Sequence, residues 1–130
     1  PLRSSAASDV YKRQILNHCG VPAIASGKMN EWKKDMTALS ELKHVTCKLS
    51  GIMAYCAPGT ASYETIKPYV EHVLECFGPD RMVWGSDWPV VNLAKGLPEW
   101  LAVTETIMSN LSEDEASKIA NINAKRIYKI

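Results

Sequence analysis

An α/β architecture with parallel strands is the fold class this sequence predicts, and three observations predict it. Short strand-like apolar runs at residues 15–18, 45–50 and 82–86 alternate with amphipathic helical stretches. Each connection between strands is long enough to hold a helix, as the right-handed crossover between parallel strands requires. At the three strand ends stand His18, Lys48 with Ser50, and Asp87. Parallel sheets gather their chemistry at those carboxyl ends, so all three are expected to face one mouth.

The first unit opens with Ile15-Leu16-Asn17-His18, a strand that ends at the turn Cys19-Gly20-Val21-Pro22. Asn30 is expected to cap a helix that carries Trp32, Met36, Leu39 and Leu42 at helical spacing. In the second strand Val45, Cys47 and Leu49 share one face, and Thr46, Lys48 and Ser50 share the other. Gly51 and a long loop with Pro58-Gly59 lead to a helix bearing Ile66, Val70, Val73, Leu74 and Phe77. Pro68 suits a first turn, which predicts a start near Lys67, and Gly78-Pro79 ends the helix.

The third strand leads into Gly85-Ser86-Asp87-Trp88-Pro89. A helix from about Pro98 follows, with Trp100, Thr104, Ile107, Met108 and Leu111 along one side. Ser112 and Glu115, three apart, form a capping box for a further short helix, and a last helical turn or two over residues 123–128 closes the chain.

Composition narrows the partners. The chain of 130 residues, 46% hydrophobic, suffices for one core and is short for two domains. Its 15 basic residues are offset by 14 acidic ones without forming a stripe, which argues against nucleic acid. No apolar run is long enough to span a bilayer and no export signal is read, so a soluble cytoplasmic protein is expected. Cys19, Cys47, Cys56 and Cys76 form no CxxC pair and are expected to be reduced, with Cys19 and Cys47 as apolar fillers on strands and Cys56 in a loop.

Residues 1–14 stand apart. They lead into Ile15 without a turn signal, and residues 4–14 resemble, at every position, the conceptual translation of a transposon-end sequencing adaptor. They are set aside as non-native, with residues 15–130 taken as the folded part.

Asp87 follows the buried-strand run Met82-Val83-Trp84 and is either a turn residue or an acid able to relay a proton or ligate a metal. His18 is either a structural histidine or its partner on the same rim. Lys48 alternates with apolar neighbours and would point inward, where an ammonium needs a carboxylate or an anionic ligand. Trp88 is a loop anchor or a platform for the apolar face of a sugar-like ring. His44 and His72 are read as surface residues.

Four segments, Asn17-His18-Cys19-Gly20-Val21-Pro22, Cys47-Lys48-Leu49-Ser50-Gly51, Phe77-Gly78-Pro79-Asp80-Arg81 and Gly85-Ser86-Asp87-Trp88-Pro89-Val90, carry a resemblance to the C-terminal part of the amidohydrolase-related metal-dependent hydrolases. The likeness is closest to sugar-lactone hydrolases of the L-fuconolactonase and L-rhamnonolactonase type, and Asn123-Ala124-Lys125-Arg126-Ile127-Tyr128 extends it to the end.

The resemblance implies a TIM-type (β/α)8 barrel, of which these strands would be the sixth, seventh and eighth. It also implies that Asp87 activates water while His18 polarises a carbonyl or contacts a metal. Lys48 and Trp88 would then help hold a sugar lactone, a small-molecule substrate. The family's first-strand His-x-His has no match here, and lactonase-like members of the family use either a divalent metal such as zinc or none; a metal would find only His18 and Asp87 and bind this chain poorly. Barrels of this type run to about 250 residues. The chain alone is therefore expected to be inactive and unstable, with two open sheet edges. A decarboxylase or another hydrolase on the same barrel, and a small non-catalytic α/β binding module, are the rival readings. The oligomeric state is not legible.

Overall fold

The computed structural model describes residues 13–129. Most of the segment set aside in the sequence, residues 1–12, lies outside the described residues. Three parallel strands form one sheet in the order β1 (Gln14–Leu16), β2 (Val45–Leu49), β3 (Met82–Trp84). Register is set by Gln14 opposite Val45 and Leu16 opposite Cys47, then Cys47 opposite Met82 and Leu49 opposite Trp84. β1 thus begins at Gln14, one residue before the predicted start, and ends at Leu16, two residues short of His18, while β3 stops at Trp84 rather than Ser86. Gly85 still donates its N–H to the Leu49 carbonyl at 3.0 Å, so the ladder reaches the edge of the mouth.

Helix α1 (Asn30–Ser40) follows β1, and α2 (Tyr63–Phe77) follows β2. After β3 come α3 (Leu97–Ser109), α4 (Glu113–Ser117), a π-helical turn over Lys118–Ile122, and α5 (Asn123–Tyr128). The strand alternation works as the pleat dictates: Val45, Cys47, Leu49 and Met82 join Trp32, Met36, Ile66, Val70, Val73, Phe77, Trp100 and Ile107 in one apolar core.

Several boundaries differ from expectation for identifiable reasons. Met29, not Asn30, holds the cap position of α1, and no side chain caps that end. α2 starts four residues before Lys67 because Ser62 caps it, accepting the Thr65 N–H at 3.2 Å. Pro68 therefore sits inside the helix. It is tolerated because it lies on an exposed face of the helix, where the hydrogen bond a proline cannot make is least costly. Leu42 lies beyond the end of α1 and is exposed. Arg81 closes that end instead, donating to the carbonyls of Ser40 (2.7 Å), Leu42 (3.1 Å) and Val45 (3.1 Å). Hydrogen bonds from a charged donor are stronger than neutral ones, roughly 1.5–3 kcal/mol, so the Arg81 guanidinium ties the end of α1 firmly to the start of β2.

The Ser112–Glu115 capping box and the Gly78 stop of α2 form as predicted. Cys19 is a buried filler, but in the turn after β1 rather than on a strand. Its hydrogen bond with Cys47, and then burial, hold the Cys47 thiol well above its ordinary range, so Cys47 remains a neutral thiol. His72 is half-buried rather than on the surface: its ring packs 5.4 Å from that of Trp32, between α2 and α1.

Candidate functional site

The mouth is built where the three strands run out. After Leu16 the chain enters a tight turn, Asn17–Gly20, in which His18 and Cys19 both take left-handed backbone angles with φ of 53°. This turns the His18 ring across the end of β2. There its Nδ1 lies 2.8 Å from the hydroxyl of Ser50, a side chain with no solvent exposure. The other ring nitrogen, Nε2, stands 3.9 Å from Oδ1 of Asp87. Asp87 is itself left-handed at φ 56°, and its carbonyl accepts the Val91 N–H at 2.8 Å, pinning the loop that carries it. The strand ends thus bring His18, Ser50 and Asp87 together, with both ionisable side chains mostly buried and still open to the mouth.

Gly51, the residue after Ser50, makes that approach possible. At φ 67°, a Cβ there would lie 2.6 Å from His18 Nδ1 and 3.0 Å from Asp87 Oδ2. Any side chain would split the pair. Tyr55, on the turn Ile52–Tyr55, presents its ring edge-on to His18 with centroids 6.5 Å apart. Burial, and then the Asp87 carboxylate, push the Tyr55 phenol up, which keeps it protonated as a hydrogen-bond donor.

Lys48 is half-buried, and its stem crosses Gly85, where a Cβ would meet Lys48 Cε at 2.6 Å. Among the described residues no carboxylate pairs with it, so the charge remains available to an anionic or oxygen-rich ligand. Trp88 follows Asp87 directly and is 65% exposed, on the rim rather than in the wall. Sequence reasoning placed His18, Lys48, Ser50 and Asp87 at the mouth but missed Gly51 and Tyr55. The signal for Gly51 was its position immediately after a strand end.

This arrangement can orient a water and move a proton. Zinc needs about four N, O or S ligands. Among the described residues no group of three or more His, Cys, Asp or Glu side chains is placed to hold a metal ion, and His18 with Asp87 offers two donors. The described side chains therefore do not make a complete zinc site.

A parallel α/β unit with a histidine and a carboxylate facing each other at the strand carboxyl ends has the layout of an α/β enzyme domain. The chain belongs to the amidohydrolase family, whose profile matches residues 3–130. It is 35% identical over 122 residues to an L-fucono-1,5-lactonase of Burkholderia ambifaria, an alignment spanning 91% of this chain and 42% of that protein. An L-fucono-1,5-lactonase of Burkholderia multivorans is 32% identical over 124 residues, 88% of this chain and 42% of that one. Among solved structures, an amidohydrolase of Burkholderia multivorans with bound zinc superposes with a TM-score of 0.88 at 31% identity, covering 95% of this chain and 46% of that one. The chain therefore spans less than half the length of these relatives.

Proposed function

We propose that this chain is the C-terminal portion of a lactone hydrolase, with its strands as the sixth, seventh and eighth of a (β/α)8 barrel, and that the whole protein opens the ester ring of a sugar lactone. The observation that carries the reading is the 3.9 Å separation of His18 Nε2 and Asp87 Oδ1 at the strand ends. That gap exceeds a direct hydrogen bond and accommodates a water at about 2.8 Å from each group. Similarity to the two fuconolactonases supports the substrate class.

In this mechanism Asp87 takes a proton from the water as its oxygen attacks the lactone carbonyl carbon. The Ser50 hydroxyl donates to His18 Nδ1, which fixes the tautomer with its proton on Nε2. That N–H then donates to the carbonyl oxygen as negative charge builds there. When the ring C–O bond breaks, Asp87 returns its proton to the departing ring oxygen, leaving a hydroxy acid. Lys48 and the exposed Trp88 ring hold the polar and apolar sides of the sugar.

A zinc site in the whole protein would require at least two further ligands from outside this chain. The chain alone is inactive in this reading, because it supplies one part of the mouth. The four free cysteines support a reducing, cytoplasmic setting.

The test is Asp87→Asn in the full-length protein, assayed with L-fucono-1,5-lactone. Turnover should fall about a thousandfold, the scale of general acid–base catalysis, with the melting temperature little changed. Unchanged turnover rejects the assignment.

A further inference from the structure

Two of the residues that face each other across the mouth are held in a backbone conformation that L-amino acids avoid. His18, Cys19 and Val21 all have φ of 53° within four positions, and Asp87 has φ of 56°. The left-handed region costs roughly 1–2 kcal/mol per residue, and such strain persists only where the surroundings over-determine it. The surroundings do so in the same way on both sides. The indole N–H of Trp32, on α1, donates to the Cys19 carbonyl at 2.8 Å in a buried contact. The indole N–H of Trp100, on α3, donates to the Gly85 carbonyl at 2.9 Å, two residues before Asp87. In each case the tryptophan comes from the helix that follows the strand whose end it holds.

Each indole is itself fixed. Trp32 packs against the Tyr69 ring at 5.3 Å. Trp100 stacks on Trp84 with centroids 6.3 Å apart and planes 12° apart. Trp84 donates to the Thr104 hydroxyl at 2.9 Å, and that hydroxyl donates to the Trp100 carbonyl at 2.7 Å. An indole has one donor and no acceptor, so a buried, wedged indole dictates the direction of the carbonyl it meets. Packing alone would leave that direction free.

We propose that Trp32 and Trp100 are paired positioning residues, one holding the His18 turn and the other the Asp87 loop, that together set the separation of the two side chains. This rests on the reading of His18 and Asp87 as the reacting pair. Without the Trp32 donor, the Cys19 carbonyl is left buried and unpaired, and the turn relaxes toward right-handed angles that swing the His18 ring off Ser50 and Asp87. A displacement of about 1 Å at a reacting group costs on the order of a hundredfold in rate.

The experiment replaces each tryptophan in turn, in the full-length enzyme, with 3-benzothienylalanine, which keeps the shape of the indole and has no N–H. Trp32→Phe and Trp100→Phe serve as second variants. Lactone turnover and the NMR resonances of the His18 ring are both read. For the Trp32 replacements kcat should fall about ten- to a hundredfold with KM changed by less than about twofold, and the His18 resonances should shift. For the Trp100 replacements a similar fall in kcat is expected. A merely structural tryptophan would lower the melting temperature and leave these readouts in place.

Unchanged His18 resonances on loss of the Trp32 N–H overturn the proposal, as does an unchanged kcat, or a loss confined to KM, in either variant. If the unsubstituted enzyme turns over no lactone, the functional reading fails by itself. The His18 resonances then decide, a shift supporting the Trp32 clamp and no shift overturning it.

Discussion

The Ser50 hydroxyl and Nδ1 of His18 lie 2.8 Å apart, and among the described residues this is the one hydrogen bond of the fully buried Ser50 side chain. It joins β2 to the turn after β1 and determines which His18 nitrogen is free to face Asp87. Ser50→Ala should therefore lower kcat of the full-length enzyme about ten- to a hundredfold. That range corresponds to the roughly 1–3 kcal/mol lost when a part-buried polar group loses its partner. Steady-state kinetics with an unchanged far-UV spectrum checks it; wild-type kcat would show that the bond does not orient the ring.

Gly51→Ala makes a steric test of the same geometry. Its Cβ would fall between His18 Nδ1 at 2.6 Å and Asp87 Oδ2 at 3.0 Å, in a left-handed backbone. We expect a stability loss of about 1–2 kcal/mol from the backbone alone and near-complete loss of turnover. Thermal melts and kinetics on one preparation separate the two effects.

Asn123 is a purely structural counterpart, with no solvent exposure. Its side-chain amide donates to the carbonyls of Pro79 at 2.6 Å and Met82 at 2.8 Å, tying the first residue of α5 to the start of β3. Asn123→Leu should cost about 2–4 kcal/mol by leaving two carbonyls unpaired, measured by denaturant titration, while KM stays unchanged because the site lies at the other end of the strand.

Lys118 bridges Asp80 at 2.9 Å and Asp114 at 3.3 Å on the surface. The lysine, by hydrogen bond and then by charge, lowers the Asp80 pKa below 3.8. Its stabilisation is thus present above the unfolded-state value and is lost as pH falls through the lower folded one. The two aspartates raise the Lys118 pKa above 10.5, so its contribution is present below that value and is lost as pH rises through the folded one. Lys118→Ala should flatten both limbs of the melting-temperature profile slightly, and added salt should shrink the difference. Profiles that superpose at low salt would mean the bridge contributes nothing.

The alternation of short strands and amphipathic helices was legible because period two and period 3.6 are written into the side chains. The Ser112–Glu115 box and the Gly78 stop were legible because caps are local chemistry. The start of α2 was not: Pro68 looked like a first-turn residue, and only the folded chain shows Ser62 capping a helix that exposes its proline to water. His72 was misread for the same reason, since whether a helical face meets solvent depends on the neighbouring helix.

By itself, the sequence determined that His18, Lys48, Ser50 and Asp87 lie at or just beyond the carboxyl ends of the strands, because strand length and turn residues decide roughly where a parallel strand stops. It could not determine the distance between His18 and Asp87, which are 69 positions apart in the chain. Tertiary structure decided that distance. Parallel pairing to β2 set the strand register. Gly51 cleared the space between the two side chains, and the left-handed turns aimed them. These are contacts between segments far apart in sequence, and a pattern of neighbours along one chain does not encode them.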